Sequence, residues 1–275
     1  MATAKPETPA TAPAAPTTPV APQGGATPLA LPTGLLAELA EEAKADAARE
    51  RPAISKISLK GGVMSYGGTP MPGNKVECVI VAAAFRNSYY AGRYDANNIV
   101  NPNCFSLSQS DEGMAPHENV SEPEAEVCKG CPRDEWGSDP NGGRGKACKQ
   151  GRRLVIIPAN ALDDGADKVL TAELALLDLP VTSVKNYSQF VNTLAVSAGV
   201  PAWVAVCQIS VVPDAKSQFK VLFQAMRIIP TMDLLDAVKS RRNEGLRVAL
   251  QPYEDTATKE SAASSASSGG KNKKF

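Results

Sequence analysis

Cys104-Phe105-Ser106 and Cys128-Lys129-Gly130-Cys131-Pro132 stand near the middle of the chain, and Gly145-Lys146-Ala147-Cys148 closes the same stretch. Its four cysteines follow the order C-x23-C-x2-C-x16-C. Two thiolates on one tight turn can reach the same metal ion, and the flanking cysteines can complete a tetrahedral set. Gly130 permits the positive φ that such a turn needs. The spacing therefore predicts a closed, structural zinc site built on Cys128 and Cys131, which Cys104 and Cys148 can complete.

Other uses of these cysteines stay open at this point. A disulfide is disfavoured because the chain shows no secretory signal. A thioredoxin-type redox pair is disfavoured because its surroundings are loop-like and rich in glycine. His117 is the one histidine of the chain and offers an alternative fourth ligand, although its acidic surroundings favour a solvated imidazole.

The segment between and after the cysteines changes sign along its length. Residues 111–126 carry six acidic side chains and no Lys or Arg, which is typical of a solvated loop. Residues 129–153 carry seven basic against three acidic side chains. Since the bases surround the last two cysteines, a metal-bound turn would present them together, as a phosphate backbone requires. Whole-chain charge is zero, with 29 basic and 29 acidic residues, so only this local asymmetry indicates nucleic acid.

Aromatic and arginine residues alternate from Phe85 to Tyr94, directly after the most apolar strand of the first half. Bases stack on such rings while arginines hold phosphates, although cross-strand packing explains part of the pattern equally well. Trp136 lies beside the basic segment and adds another ring. The predicted DNA contacts are Arg86, Tyr89, Tyr90, Arg93, Tyr94, Phe105, Trp136, Arg144, Lys146, Lys149, Arg152 and Arg153.

The composition predicts one folded domain between two arms. Residues 1–32, rich in Ala, Pro and Thr, predict a disordered arm, and residues 33–51 predict a short helix. Residues 52–252 form the predicted domain, with the zinc-binding insertion at 104–153, and residues 253–275 a disordered basic tail. No run of 18 apolar residues and no export signal occurs, so we expect no membrane partner and a cytoplasmic location.

Within the domain, apolar runs predict strands at residues 54–59, 75–86, 154–158 and 170–179, and a hairpin from 202–212 and 219–229. Helices are predicted from Ser183 to Ala198 and from Met232 to Arg242, followed by a short apolar run at 246–250. Cys78 and Cys207 lie inside apolar runs and are expected in the core. The fold class is β-rich α+β.

The order of these elements resembles a family of bacteriophage single-stranded-DNA-binding proteins. In that family a Cys-aromatic-Ser element precedes CxxC-Pro, Trp-Gly-Ser, Gly-Lys-Ala-Cys, and Arg-Arg before an aliphatic strand. A Leu-Pro-Val-Thr-Ser run leads into a later helix. The resemblance covers about residues 53 to 230, and its elements here are Cys104–Ser106, Cys128–Pro132, Trp136–Ser138, Gly145–Cys148, Arg152–Arg153 and Leu179–Ser183.

The resemblance implies an oligonucleotide-binding (OB-type) β-barrel with a zinc-knuckle insertion, acting in phage DNA replication or recombination in the host cytoplasm. It implies single-stranded DNA as ligand, zinc as structural cofactor, and Cys104 rather than His117 as the fourth zinc ligand. Replication or recombination proteins are the expected further partners, and a homo-oligomer is left open. Many single-strand binders end in an acidic tail, whereas this tail is basic.

Two other functional classes compete with DNA binding. A zinc-knuckle adaptor, acting through protein–protein contacts, is equally compatible with the acidic loop and the long arms. An enzyme is least supported, because the chain has no HExxH and no carboxylate cluster beside the basic side of the cysteines. The Gly142–Lys146 run also fails as a phosphate-binding loop, since Pro140 replaces the first glycine and Ala147 the Mg²⁺-binding hydroxyl.

Overall fold

The computed structural model describes residues 39, 42, 55–92, 100–140 and 143–253. Contacts divide the chain into two units, Met1–Glu50 and Arg51–Phe275, and the sheet and helices with full bounds belong to the second. In the first unit Leu39 and Glu42 are helical, and the rest of the predicted 33–51 helix lies outside the described residues. None of the helices in the described ranges combines the length and apolar character that a membrane span requires.

A mixed sheet of nine strands forms the body of the molecule and curls into a half-barrel. The strands are β1 (Ser55–Ser58), β2 (Ser65–Tyr66), β3 (Thr69–Pro70), β4 (Lys75–Tyr89), β5 (Cys104–Ser108), β6 (Lys149–Pro158), β7 (Ala175–Leu179), β8 (Ala205–Asp214) and β9 (Gln218–Ile228). Their order is β3-β2-β1-β7-β6-β4-β8-β9, and β5 also pairs with β4. Only β1 and β7 run parallel among the described pairs.

Four helices cover this sheet. They are α1 (Asn160–Asp163), α2 (Ala166–Thr171), α3 (Val181–Ser197) and α4 (Met232–Ala249). The central strands of the sheet are buried on both faces, because α3 packs on one face and α4 on the other. The alternation of β4 divides its side chains accordingly: Cys78 and Ile80 join the cluster of Phe190 and Leu194, and Val79 joins that of Val238. Two hydrophobic clusters therefore share one sheet.

The long strand β4 joins the barrel to the cysteine-rich segment. One edge of β4 pairs with β6 from Cys78 to Ser88, with an irregularity between Ile80 and Ala82. The other edge pairs first with β8, over Lys75–Val79, and then with β5, over Phe85–Tyr89. The far end of β4 is consequently held between β5 and β6, where the cysteine-rich segment begins and ends.

The β-rich, barrel-like character and the small helix content are confirmed. The buried positions predicted for Cys78 and Cys207 are also confirmed, since both are fully buried in neighbouring strands. The predicted boundaries were less accurate. The predicted insertion 104–153 begins and ends inside strands of the sheet, and only residues 109–148 lie between β5 and β6.

Three element assignments need correction. Residues 170–171 end α2, so the strand predicted at 170–179 starts only at Ala175. The helix α3 begins at Val181 with Pro180 at its N-cap, and Ser183 does not cap it. The Ser183 hydroxyl instead accepts a hydrogen bond from the Val221 amide of β9, 2.9 Å away. Helix α4 continues to Ala249 and absorbs the apolar run predicted as a separate element.

Candidate metal centre and nucleic-acid interface

The four predicted zinc ligands line one small cavity. Cys104 opens β5 opposite Tyr89, and Cys148 stands directly before β6, so these two cysteines flank the end of β4. The loop between β5 and β6 brings Cys128 and Cys131 over the same place. The cavity has a volume of about 20 Å³, and Asn87, Tyr89 and Ser106 also line it. A space of this size holds about one water-sized sphere, and hence a single ion.

The CxxC pair forms a tight turn, as its spacing predicts. The Cys131 amide donates a hydrogen bond of 3.3 Å to the Cys128 carbonyl, and Gly130 inside the turn has a φ of +79°. A single turn of 3-10 helix, Pro132–Asp134, follows it. The Cys148 amide donates to the Arg133 carbonyl at 2.8 Å, which brings the last cysteine back to this turn.

The Trp-Gly-Ser and Gly-Lys-Ala elements hold each other. The Gly137 amide donates to the Gly145 carbonyl at 3.0 Å, and the Ala147 amide donates to the Ser138 hydroxyl at 2.9 Å. That hydroxyl in turn donates to the Glu135 carbonyl at 2.6 Å. Backbone and one serine therefore fix the loop that carries Trp136 and the basic residues. We call residues 128–148 the knuckle.

Two thiols of the cavity, Cys104 and Cys148, have a raised pKa. Burial, followed by the charges of Cys128, Asp134, Cys104 and Cys131, raises the pKa of the Cys148 thiol to about 12. Burial is also the largest cause of the raised pKa of Cys104, and the charges of Cys128 and Cys131 add to it. Thiolates crowded in this way repel each other, and a divalent cation among them would offset that repulsion.

The donor set fits zinc, whereas a formed coordination shell is not observed. All six cysteines are free thiols, which excludes a disulfide in this structure. Four sulfurs facing one ion-sized cavity are the donors of a structural zinc site. Within the described part of the chain, however, no three His, Cys, Asp or Glu side chains already stand in the compact arrangement of a metal centre. The zinc assignment therefore stays a prediction.

The lone histidine lies apart from this cavity wall. The ring of His117 stacks on Phe105 at a centroid distance of 5.0 Å, and its Nδ1 accepts a hydrogen bond from the Asn119 amide at 3.1 Å. Cys104, in contrast, is part of the cavity lining. This placement favours Cys104 over His117 as the fourth ligand.

No family model, curated protein or solved structure matches this chain. The resemblance to phage single-strand binders therefore gains no support from these comparisons, and function has to be argued from the site itself.

Two of the predicted phosphate-binding arginines belong to an internal ion-pair network. The Arg153 side chain is 2 % exposed and its Nε lies 3.0 Å from Asp178 Oδ1. Arg86 Nη1 lies 3.5 Å from Asp178 Oδ2. A Cβ on Gly151 would stand 2.8 Å from an Arg86 guanidinium nitrogen, so the bare glycine gives this side chain room to cross β6. Arg153 is occupied within the fold, which corrects its predicted role on DNA.

Tyr253 completes the same network from the end of the described chain. Its ring lies edge-on to Phe105 at 4.9 Å and 5.0 Å from the Arg153 guanidinium, and its hydroxyl accepts a hydrogen bond of 3.4 Å from Arg86. Tyr253 is thus packed against the sheet, which corrects its assignment to the disordered tail. Residues 254–275 lie outside the described residues.

The predicted stacking residues divide into buried and exposed groups. Tyr89 and Phe105 are 5 % and 6 % exposed, so neither ring has a free face for a base. The Tyr89 ring instead carries the Arg133 guanidinium, 4.8 Å from its centroid. Tyr90 is exposed, and Trp136 is exposed to 80 %. Arg93 and Tyr94 lie outside the described residues.

The cations in and beside the knuckle are partly neutralised by carboxylates. Lys146 Nζ lies 3.0 Å from Asp134 and Lys149 Nζ 2.9 Å from Asp139, while Arg144 is exposed. The Arg152 guanidinium lies 3.7 Å above the centroid of the Phe85 ring. Phe85 and Arg152 border a cleft of about 260 Å³ between knuckle and sheet, lined further by Asn87, Asp111, Met114, Cys128, Lys129, Asp134 and Gln150.

Four residues of the site were not predicted from the sequence: Ser106, Arg133, Asp178 and Tyr253. Ser106 belongs to the Cys-Phe-Ser motif. A residue two positions after Cys104 on a strand is expected on the same face as Cys104, so the sequence could have indicated Ser106. Asp178 and Tyr253 gave no such signal, because their partners Arg86 and Arg153 are distant in sequence.

Proposed function

We propose that this protein binds single-stranded DNA with little sequence preference, through the knuckle and the adjoining sheet surface. Zinc held by Cys104, Cys128, Cys131 and Cys148 would keep the knuckle folded. Four thiolates close the coordination shell, so the ion would supply folding energy and no reactive position. The proposal extends to the OB-type barrel and to a role in phage replication or recombination in the bacterial cytoplasm, both of which rest on the resemblance of the sequence motifs.

The exposed ring of Trp136 is the observation that carries this proposal. A tryptophan that is 80 % exposed contributes little to the core. Lys146 Nζ lies 5.6 Å from the centroid of the Trp136 ring, so a cation lies close to this exposed ring. An aromatic platform beside a cation is the arrangement that single-strand binders use for one base and its phosphate. Trp136 is therefore the first residue we assign to DNA.

The cleft between knuckle and sheet continues this surface. The Arg152 guanidinium lies over the Phe85 ring in the cleft, and the exposed Lys129 is part of the cleft lining. A guanidinium in this position offers both a stacking plane and donors for phosphate. We assign Arg152, Lys129, Arg144, Lys146 and Lys149 to phosphates along one path that starts at Trp136.

The ion pair of Lys149, directly after the knuckle, does not exclude a phosphate contact. The Lys149 side chain is half-exposed and forms an ion pair with the Asp139 carboxylate. Exposed pairs of this kind are worth about 0–1 kcal/mol, so a phosphate can compete for the cation at little cost. Because such contacts release counterions, affinity should fall as salt rises.

The test is fluorescence anisotropy of a labelled oligo-dT with the wild-type protein and Trp136→Ala, over a series of salt concentrations. We expect salt-sensitive binding by the wild type, and a loss of about 1–3 kcal/mol in Trp136→Ala from the missing stack. A matched control is Lys239→Ala, which removes an exposed lysine from α4, away from the knuckle, and should leave the affinity unchanged. Duplex DNA of equal length that competes as well as the single strand would contradict the proposal.

A protein-binding adaptor is the second candidate, and the edge of the sheet favours it. Strand β9 is the last strand of the sheet order, and Leu222, Met226 and Ile228 on it are between 37 % and 46 % exposed. Apolar edge strands commonly receive a strand from a partner. The same experiment separates the candidates, since an adaptor would show negligible DNA affinity at low salt.

A further inference from the structure

Ser106 is a buried polar residue without a hydrogen-bond partner. Its side chain is 1 % exposed, and its Oγ forms no hydrogen bond with any atom of the described residues. Buried hydroxyls are nearly always paired, because an unpaired one has lost its bonds to water. The position therefore calls for a partner that is missing from the protein atoms alone.

The strand geometry directs this hydroxyl toward the thiol cavity. Ser106 follows Cys104 by two residues on β5, and successive side chains of a strand alternate between its faces. Ser106 pairs with Asn87 across to β4, as Cys104 pairs with Tyr89, and all four residues line the cavity. The unpaired oxygen and the four sulfurs thus border the same small space.

A metal-bound thiolate is the partner that this hydroxyl lacks. A serine O–H can turn to donate, and a thiolate sulfur bound to a cation still accepts hydrogen bonds. Groups that bond to metal ligands orient them and adjust their electron donation, and losing one lowers metal affinity by about 10–100-fold. The Cys-Phe-Ser order would then place ligand and donor two residues apart on one strand, both in the lining of the cavity.

We propose that Ser106 is a positioning residue of the metal centre, whose hydroxyl donates a hydrogen bond to a cysteine thiolate of the metal-loaded site. This inference rests on the zinc site of the proposed function and adds a residue that the ligand spacing does not indicate.

The test uses Co²⁺ as a coloured substitute for zinc in the full-length protein and in Ser106→Ala. We expect Co²⁺ affinity, measured by competition with a chelator, to fall about 10–100-fold in Ser106→Ala. The sulfur-to-cobalt charge-transfer band should also move to longer wavelength, because a thiolate without the hydrogen bond donates electrons more readily. Ser106→Thr keeps the hydroxyl and should restore both affinity and band position.

Ser88→Ala is the matched control. Ser88 is a buried serine, 2 % exposed, on the neighbouring strand, and it does not belong to the cavity lining. Its removal should change neither cobalt affinity nor the spectrum. If the wild type binds cobalt and Ser106→Ala matches it in affinity and spectrum, the role of Ser106 is refuted while the metal site stands. If the wild type takes up no cobalt through its thiols, the metal site and the role of Ser106 are both refuted.

Discussion

At the scale of single residues, Asp178 is the group on which the interior charges depend. Its carboxylate oxygens form ion pairs with Arg153 Nε at 3.0 Å and with Arg86 Nη1 at 3.5 Å. Burial raises the pKa of the Asp178 carboxyl, but the charges of Arg86, Arg153 and Lys56 lower it more strongly, so this pKa lies below its usual range. Without the carboxylate, two largely buried guanidinium groups would lose their anionic partner.

We expect Asp178→Asn to lower the free energy of unfolding by about 3–5 kcal/mol at pH 7, the usual cost of breaking a buried ion pair. A depressed carboxyl pKa stabilises the fold above the unfolded-state value of about 4 and ceases to do so as pH falls through the folded-state pKa. The difference between wild type and variant should therefore shrink in acid. Urea unfolding at a series of pH values measures both effects.

Asp163→Asn provides the comparison for this measurement. Asp163 pairs with Arg227 at 3.1 Å, but its side chain is 67 % exposed. Its replacement should cost about 0–1 kcal/mol, as for other surface pairs. Equal losses in the two variants would show that the Asp178 network contributes no more than a surface ion pair.

Arg152 and Arg153 show which features of the site the sequence could predict for single residues and which it could not. Both were predicted as DNA contacts because both are cationic and adjacent to the knuckle. On a strand they face opposite sides, so Arg152 lies on Phe85 in a cleft while Arg153 is buried against Asp178. The sequence could not assign the two sides, since the aliphatic residues that follow are buried on both faces.

At the scale of elements, helix α4 packs closely on strand β4 at Gly245. A Cβ on Gly245 would lie 2.9 Å from Val81 Cγ2 and 3.3 Å from Ala82 Cβ. The glycine thus lets the helix backbone approach the strand. Predicting α4 only to Arg242 missed this, because glycine lowers helix propensity and the packing that overrides it involves residues far away in sequence.

We expect Gly245→Ala to destabilise the protein by about 1–3 kcal/mol, because the added methyl group overpacks the core by more than it gains in helix propensity. Asn243→Ala, on an exposed position of the same helix, should change stability by no more than about 0.5 kcal/mol. Thermal unfolding of both variants measures the difference. A stabilised Gly245→Ala would mean that the interface yields to the methyl group.

At the scale of the whole molecule, two parts are stabilised in different ways. The half-barrel is stabilised by two hydrophobic clusters, whereas the segment between β5 and β6 that contains the knuckle is held by sparse local contacts. The described residues 109–148 contain one 3-10 turn and no strand or α-helix. Their order comes from backbone hydrogen bonds and a few ion pairs. Cysteine spacing predicted that four cysteines would meet, and they do line one cavity, whereas their use as metal ligands stays a prediction. The sheet order was beyond prediction, because it pairs residues far apart in sequence, such as Ser55 with Ala175 and Lys75 with Ser210.

We expect one zinc ion per chain in the wild type and in His117→Ala, and loss of the ion in Cys104→Ser. A ligand bound at a thousandfold excess over its dissociation constant adds about 4 kcal/mol, or roughly 10 °C in Tm for a domain of this size. Chelation should therefore lower the wild-type Tm by about that amount and leave Cys104→Ser unchanged. Metal analysis and calorimetry test this, and the opposite behaviour of the two variants would identify His117 as the ligand.

The position of β5 and β6 on opposite edges of β4 has a consequence for the history and engineering of the protein. The segment between them leaves and rejoins the sheet across one intervening strand, a gap of about 10 Å. A linker of a few residues could bridge that gap, so residues 109–148, which include the knuckle, could be removed without breaking the strand pairing of the half-barrel. We expect related chains to exist in which this segment is absent, exchanged or enlarged on the same sheet.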